Sequence, residues 1–195
     1  MVAFATSHHA PSTSLRMSFA RLLQTLLLGP RVTEAVAGRG GPPDDLGAVT
    51  AAGVEVRQVL DRLHGGRSLR IRAVDAGSTN AEELELLALG NAYYDIERFG
   101  LSFVASPRHA DLLMVTGPVV RNLERALRTT YEAAPKPCLV AAVGDGACTG
   151  GIWRGSYAVV GAVEDVIPVH IKIPGDPPSP AEMLLGLARG LGGAR

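Results

Sequence analysis

Apolar residues follow two rhythms along this chain. Five runs are continuously apolar, β-branched or alternating: LRIRAVDA from Leu69, LSFVAS from Leu101, ADLLMVTG from Ala110, PCLVAAVG from Pro137 and PVHIKIPG from Pro168. Each reads as a strand. Between and after them lie AEELELLALG from Ala81, VVRNLERALRTTYEAA from Val119 and PAEMLLGLARGL from Pro180, where apolar positions return every three or four residues. That spacing predicts helices, with Leu84 and Leu87 facing inward from the first and Leu123, Leu127 and Tyr131 from the second. A further helix is expected over about residues 54–63, closed by Gly65 and Gly66. Strands alternating with helices across short Gly/Pro turns predict a three-layer α/β domain, a mainly parallel sheet covered by helices on both faces. In such sheets functional groups gather at the carboxyl ends of the strands.

The amino-terminal region differs in kind. Residues 1–33 carry no acid, and MSFARLLQTLLLG places Phe19, Leu22, Leu23, Leu26 and Leu27 at helical spacing beside Arg16, Arg21 and Arg31. This predicts an amphipathic helical arm, short of the ~20 apolar residues that cross a bilayer. EAVAG offers the small residues of an export cleavage site, but Gln24 interrupts the apolar stretch and arginines flank it closely. A helix packed on a partner subunit or lying on a membrane surface fits better. The run AGRGGPPDD reads as a linker, so the arm and linker occupy residues 1–45 and the compact domain residues 46–195.

Composition narrows the functional classes. The 195 residues, 47% of them hydrophobic, suffice for one well-buried domain with extensions. Acidic and basic residues balance at 19 each, giving no reason to expect nucleic acid as a partner. Only Lys136 and Lys172 are lysine, and this arginine bias with 23 glycines suggests a GC-rich, bacterial source. Cys138 and Cys148 make no disulfide framework, and their spacing matches no zinc or redox motif, so a reducing cytoplasmic compartment is expected. Cys138 sits within a strand run and should be buried, whereas Cys148 in a loop would be reactive only beside a positive group. His8 and His9 lie in the terminal arm, His109 in a turn, and His64 and His170 belong to no pattern. GDGACTGG lacks the Gly-Lys-Ser/Thr ending of a phosphate loop.

The strand-end segments carry the most specific signal. They read DAGSTNAEELE, ASPRHAD, TGPVV, GDGACTGG and PGDPPSP, with YYDIERFG before the second strand. Together they resemble the small electron-transfer subunit shared by respiratory complex I (NADH-quinone oxidoreductase) and energy-converting nickel-iron hydrogenases, including formate hydrogenlyase. The resemblance runs from about Leu69 to Leu191 and is clearest over residues 94–119. It implies a flavodoxin-like fold, a large catalytic-type partner subunit, membrane subunits, and a place on the inner face of the cell membrane.

It also implies a 4Fe-4S cluster, and here this chain departs. The family's hydrogenase branch supplies four thiolates as GSCNGC, GDCACSGG and PGCPP. Laid on those motifs, Thr79, Glu82, Gly146 and Asp176 occupy the four ligand positions, and Cys148 matches a non-ligating cysteine. With hydroxyl or carboxylate oxygens at three of those positions and glycine at the fourth, nothing is left to match a soft cluster, so no cofactor is expected. The resemblance then implies an oxidoreductase-complex subunit without its redox centre, and no catalytic residue is assigned. The kept glycines and prolines, Gly77, Gly150, Gly151, Gly175 and Pro177, favour a structural or ion-coupling subunit. Two alternatives stand beside it: an electron carrier holding a cluster through a partner's ligands, and a divalent-metal or small-ligand module using Glu82, Asp145 and Asp176. Glu83 and Glu85 read as a solvated helix start favoured by the helix dipole. Glu85, retained from the family's loop, is the candidate proton relay, with an ion pair to Arg98 or Arg108 as its ordinary role.

Overall fold

The computed structural model describes residues 45–193. The amphipathic arm, the linker up to Asp44, and His8 and His9 lie outside them.

The core strands are β1 (Leu69–Asp75), β2 (Leu101–Phe103), β3 (Leu112–Thr116), β5 (Leu139–Val143) and β7 (Ile171–Ile173). They form one sheet in the order β2-β1-β3-β5-β7, with every neighbouring pair parallel. Counting these five alone, the order is 2-1-3-4-5, the flavodoxin-like arrangement, in which the chain reverses its direction of growth between β1 and β3. Alternation along the strands builds two cores. Leu112 and Met114 of β3, with Ala141 and Val143 of β5, meet α1 (Asp45–His64) and α5 (Pro180–Gly193) through Val56, Leu60, Leu184 and Leu187. Leu113, Val115, Val140 and Ala142 face the other way, onto Leu127 of α3 (Arg121–Ala133) and Ala147 and Cys148 of α4 (Asp145–Thr149). Three layers result, as the alternation of elements predicted.

Three local expectations are corrected. First, α1 begins nine residues before the expected start. Gly47 and Gly53 weaken its helical signal, yet Gly53 has a packing reason, since a Cβ there would stand 2.2 Å from the Phe99 ring. Second, Val119–Val120 is not helical but forms β4, antiparallel to β6 (Val159–Gly161). Third, the inward phase of α2 (Ala81–Ala88) is carried by Glu82 and Leu86, with Leu89 following, while Leu84 is 58% and Leu87 74% exposed. In the second helical run Leu127 is buried and Leu123 and Tyr131 are half-buried, as expected.

Two devices finish the sheet and α5. His170, which belonged to no sequence pattern, lengthens the β5–β7 ladder. Its amide donates to the Val140 carbonyl at 2.9 Å, and its Nδ1 accepts the Val140 amide at 3.1 Å. Ser179 caps α5, with its amide and hydroxyl both donating to Glu182 Oε2 at 2.8 Å while the Glu182 amide donates to Ser179 Oγ at 3.4 Å. Those bonds to the ionised carboxylate hold the Glu182 pKa below its ordinary value.

Gly53→Ala tests the packing account. Helix propensity favours alanine by about 1 kcal/mol, whereas overpacking a buried ring costs about 1–3 kcal/mol. Chemical denaturation should therefore show a net loss of about 1 kcal/mol, and a gain would contradict the contact with Phe99.

Candidate functional site

The exits of β1 and β3 cross at the reversal point of the sheet. Asp75 ends β1, and its Oδ1 accepts the amides of Gly77 at 2.8 Å and Ser78 at 2.9 Å. Ser78 Oγ accepts the Asn80 amide at 3.1 Å, and Asn80 turns the chain into α2 with φ of 72°. The two exit loops touch through backbone: a Cβ on Gly117, whose φ is 70°, would stand 2.2 Å from the Ser78 nitrogen. Glu83 clamps the crossing. Its carboxylate accepts the hydroxyls of Ser78 and Thr116, one from each loop. The expectation of a solvated helix-start acid is corrected for Glu83, because its partners come from two separate strands.

Two further loops close on this crossing. The Asp145 amide donates to the Gly175 carbonyl at 2.8 Å, and Asp145 Oδ1 accepts the Gly175 amide at 2.9 Å. These reciprocal bonds tie the loop after β5 to the loop after β7. Arg121 holds the following segment, with its Nε donating to the Tyr157 carbonyl at 2.6 Å and its amide to the Ala158 carbonyl at 2.9 Å.

Between these loops lies a cavity of about 560 Å³, and Thr79, Glu82, Gly146 and Asp176 all line it. Asp145, Thr149, Pro118, Ile152 and Trp153 complete the wall, and none of the lining side chains is basic. Glu82 is only 4% exposed, and its Oε2 has no hydrogen-bond partner. Burial pushes the Glu82 carboxyl above the ordinary carboxylate range, and the charges of Glu83, Asp176 and Asp75 add to this against a bond from its own amide. Gly146 has no room for a side chain, since a Cβ would stand 2.7 Å from Pro118 Cδ. Among the described residues no three His, Cys, Asp or Glu side chains come together as a metal-holding group.

Other sequence-singled residues fall outside the cavity. Glu85 is half-buried on α2 and takes no part in the ion pairs among the described residues, whereas Arg98 stacks on the Phe99 ring. His109 is exposed at the end of the turn Pro107–His109. Cys148 is buried, with its Sγ donating to the Ala142 carbonyl at 3.4 Å, and burial raises its pKa, so it is not the reactive thiol that a loop position allowed. Burial raises the Cys138 pKa as well.

A parallel sheet of order 2-1-3-4-5 whose strand-end loops converge at the reversal point defines a flavodoxin-like α/β subunit. The family described as "NADH ubiquinone oxidoreductase, 20 Kd subunit" matches residues 80–189, and the chain belongs to it. An NADH-quinone oxidoreductase subunit of Desulfovibrio desulfuricans is 36% identical over 155 residues, covering 77% of this chain and 84% of that protein. Formate hydrogenlyase subunit 7 of Escherichia coli is 40% identical over 126 residues, 65% of this chain but 49% of that longer protein. An uncharacterized protein of Methanocaldococcus jannaschii is 41% identical over 65% of this chain and 84% of its own length, so relatives are archaeal as well as bacterial. Among solved structures, a chain of the membrane-bound sulfane sulfur reductase, an archaeal respiratory membrane complex, superposes with a TM-score of 0.59 at 32% identity, covering 69% of this chain and 75% of that one.

Two substitutions test the site's electrostatics. Because the folded Glu82 pKa lies above its ordinary value of 4.5, the stability conferred by the neutral acid is fully present below that value and is lost as pH rises through the folded pKa. Glu82→Gln should therefore melt higher than the parent at pH 7.5, by a few degrees for about 1 kcal/mol, with the gap closing toward pH 4; equal melting at both pH values would contradict the account. Glu83→Ala removes the shared acceptor of two hydroxyls, one of which keeps the Val74 carbonyl, and should cost about 1 kcal/mol in denaturant unfolding, whereas a solvated acid would cost almost nothing.

Proposed function

We propose that this protein is a cluster-less structural or ion-coupling subunit of a membrane-associated complex of the complex-I and energy-converting hydrogenase kind. The observation that carries the reading is the chemistry of the four positions at which the family's cluster ligands fall. They offer a threonine hydroxyl, a buried carboxylate, no side chain and an exposed carboxylate. None is the soft anionic thiolate that a cluster's iron requires. Gly146 adds a steric argument, since any side chain there displaces the ring of Pro118. The residues present do not fit a 4Fe-4S cluster, and no electron-transfer step is derived through one.

The partners are, on this reading, a large catalytic-type subunit and membrane subunits, as the complexes of its relatives suggest. Attachment is peripheral, on the inner face of the membrane; among the described residues no helix is long and apolar enough to cross one. Exposed apolar side chains mark where partners would sit. Ile152 is 85% and Trp153 48% exposed in the wall of the strand-end cavity, Tyr157 is exposed further along the chain, and Leu84 and Leu87 form a second face on α2. Glu85, half-buried on the same helix, is the candidate proton relay of the ion-coupling version.

Purification under anaerobic conditions, with iron and acid-labile sulfide assayed on the complex and on this subunit, tests the proposal. The expected result is a large subunit and membrane subunits co-purifying with a chain that carries no iron. About four irons per chain, the content of one cubane, would overturn it.

A further inference from the structure

We propose that the strand-end cavity receives the guanidinium group of an arginine side chain carried by a partner protein. This rests on the cluster-less reading of the same site and says what takes the place of a cluster. Glu82 is almost completely buried in the cavity wall, with one carboxylate oxygen lacking any hydrogen-bond partner. A buried, unpaired carboxylate is costly unless a proton or a cation satisfies it. Asp176 presents a second carboxylate to the same space, and the two charges act on one another. The third, Asp145, is already engaged by the Gly175 amide. No basic side chain lines the wall among the described residues, so a cation that takes the place of the proton is one the wall does not itself supply.

Size and wall chemistry select among cations. A cavity of about 560 Å³ is far larger than a dehydrated metal ion, and no metal-holding group of three side chains exists among the described residues. The wall also carries the half-exposed indole of Trp153 and the exposed Ile152. A planar, weakly hydrated guanidinium suits both surfaces, stacking on the indole and presenting paired donors to carboxylates. A lysine ammonium is a compact, strongly hydrated charge and makes poorer use of an aromatic wall. The exposed Ile152 and Trp153 at the cavity favour a protein over a free organic cation as the carrier. A partner surface would cover them, as contacts that exclude water around one buried basic anchor.

The chain contains one tryptophan, so the fluorescence of Trp153 reports on this cavity without a label. Full-length protein is titrated with acetyl-arginine methylamide, and in parallel with the citrulline analogue, which keeps the shape and lacks the charge. A saturable change with half-saturation of about 1–10 mM is expected for arginine, as suits one anchor without its protein, with no change for citrulline. Asp176→Asn, a substitution at an exposed loop position, should raise the half-saturation at least about five-fold, as the loss of one charge-assisted pair implies. Absence of a saturable arginine response, an equal response to citrulline, or indifference to Asp176→Asn overturns the proposal. So does saturation by magnesium or calcium chloride below the arginine range. Iron and sulfide are assayed on the same preparation. Their presence overturns the cluster-less reading and this one with it, whereas an iron-free protein that ignores arginine overturns this one alone.

Discussion

The backbone crossing at the exits of β1 and β3 governs everything at the strand ends. Gly117 and Ser78 approach so closely that no side chain fits between them, and Glu83 joins the two loops by accepting a hydroxyl from each. A carboxylate bonded to two hydroxyls is a short, charge-assisted tie. Asp145 and Gly175 make a comparable tie on the other side of the cavity, by reciprocal backbone and side-chain bonds. In a cluster-bearing relative of this fold, four metal–thiolate bonds would link these same loops. Here hydrogen bonds within the protein also link them: Asp75 with Gly77 and Ser78, Glu83 with Ser78 and Thr116, and Asp145 with Gly175.

This arrangement has an electrostatic cost that shapes what the cavity can do. Glu82 faces the core phase of α2, a position that ordinarily takes an apolar residue, and it lies among Glu83, Asp176 and Asp75. A buried carboxylate among other carboxylates favours a proton or an external positive charge. Ile152 and Trp153 in the same wall are exposed, so the acidic cavity has an apolar edge. Loop ties, buried charge and exposed apolar side chains therefore meet at one end of the sheet, where parallel α/β folds place their chemistry.

The fold was legible wherever burial wrote a continuous signal. β3 and β5 are buried on both faces, and a strand covered on both sides must be apolar throughout, which is how ADLLMVTG and PCLVAAVG read. The phase of α2 was not legible, because EELELLAL allows the inward stripe to run through Leu84 and Leu87 or through Glu82, Leu86 and Leu89, and propensity favours the choice that buries no acid. Only tertiary contact decides between them. The ladder of β4 and β6 is too short to leave a periodic trace, and Gly53 reads as a break until Phe99 is seen beside it. At the site, motif spacing identified Thr79, Glu82, Gly146 and Asp176, but not the clamp. A glutamate in the first turn of a helix looks the same in sequence whether water or the hydroxyls of two loops surround it.

On the cluster-less reading, the strand-end loops hold themselves without metal. Amide hydrogen exchange of the full-length protein after exhaustive chelation tests it most directly, at Gly77, Ser78, Asn80 and Gly175, whose amides donate to Asp75, Ser78 and Asp145 side chains. Protection at these amides close to that of the neighbouring β1 and β3 ladder is the predicted result. Exchange at the rate of an unstructured chain, with the ladder still protected, would show that the loops need something else to hold them and would contradict it.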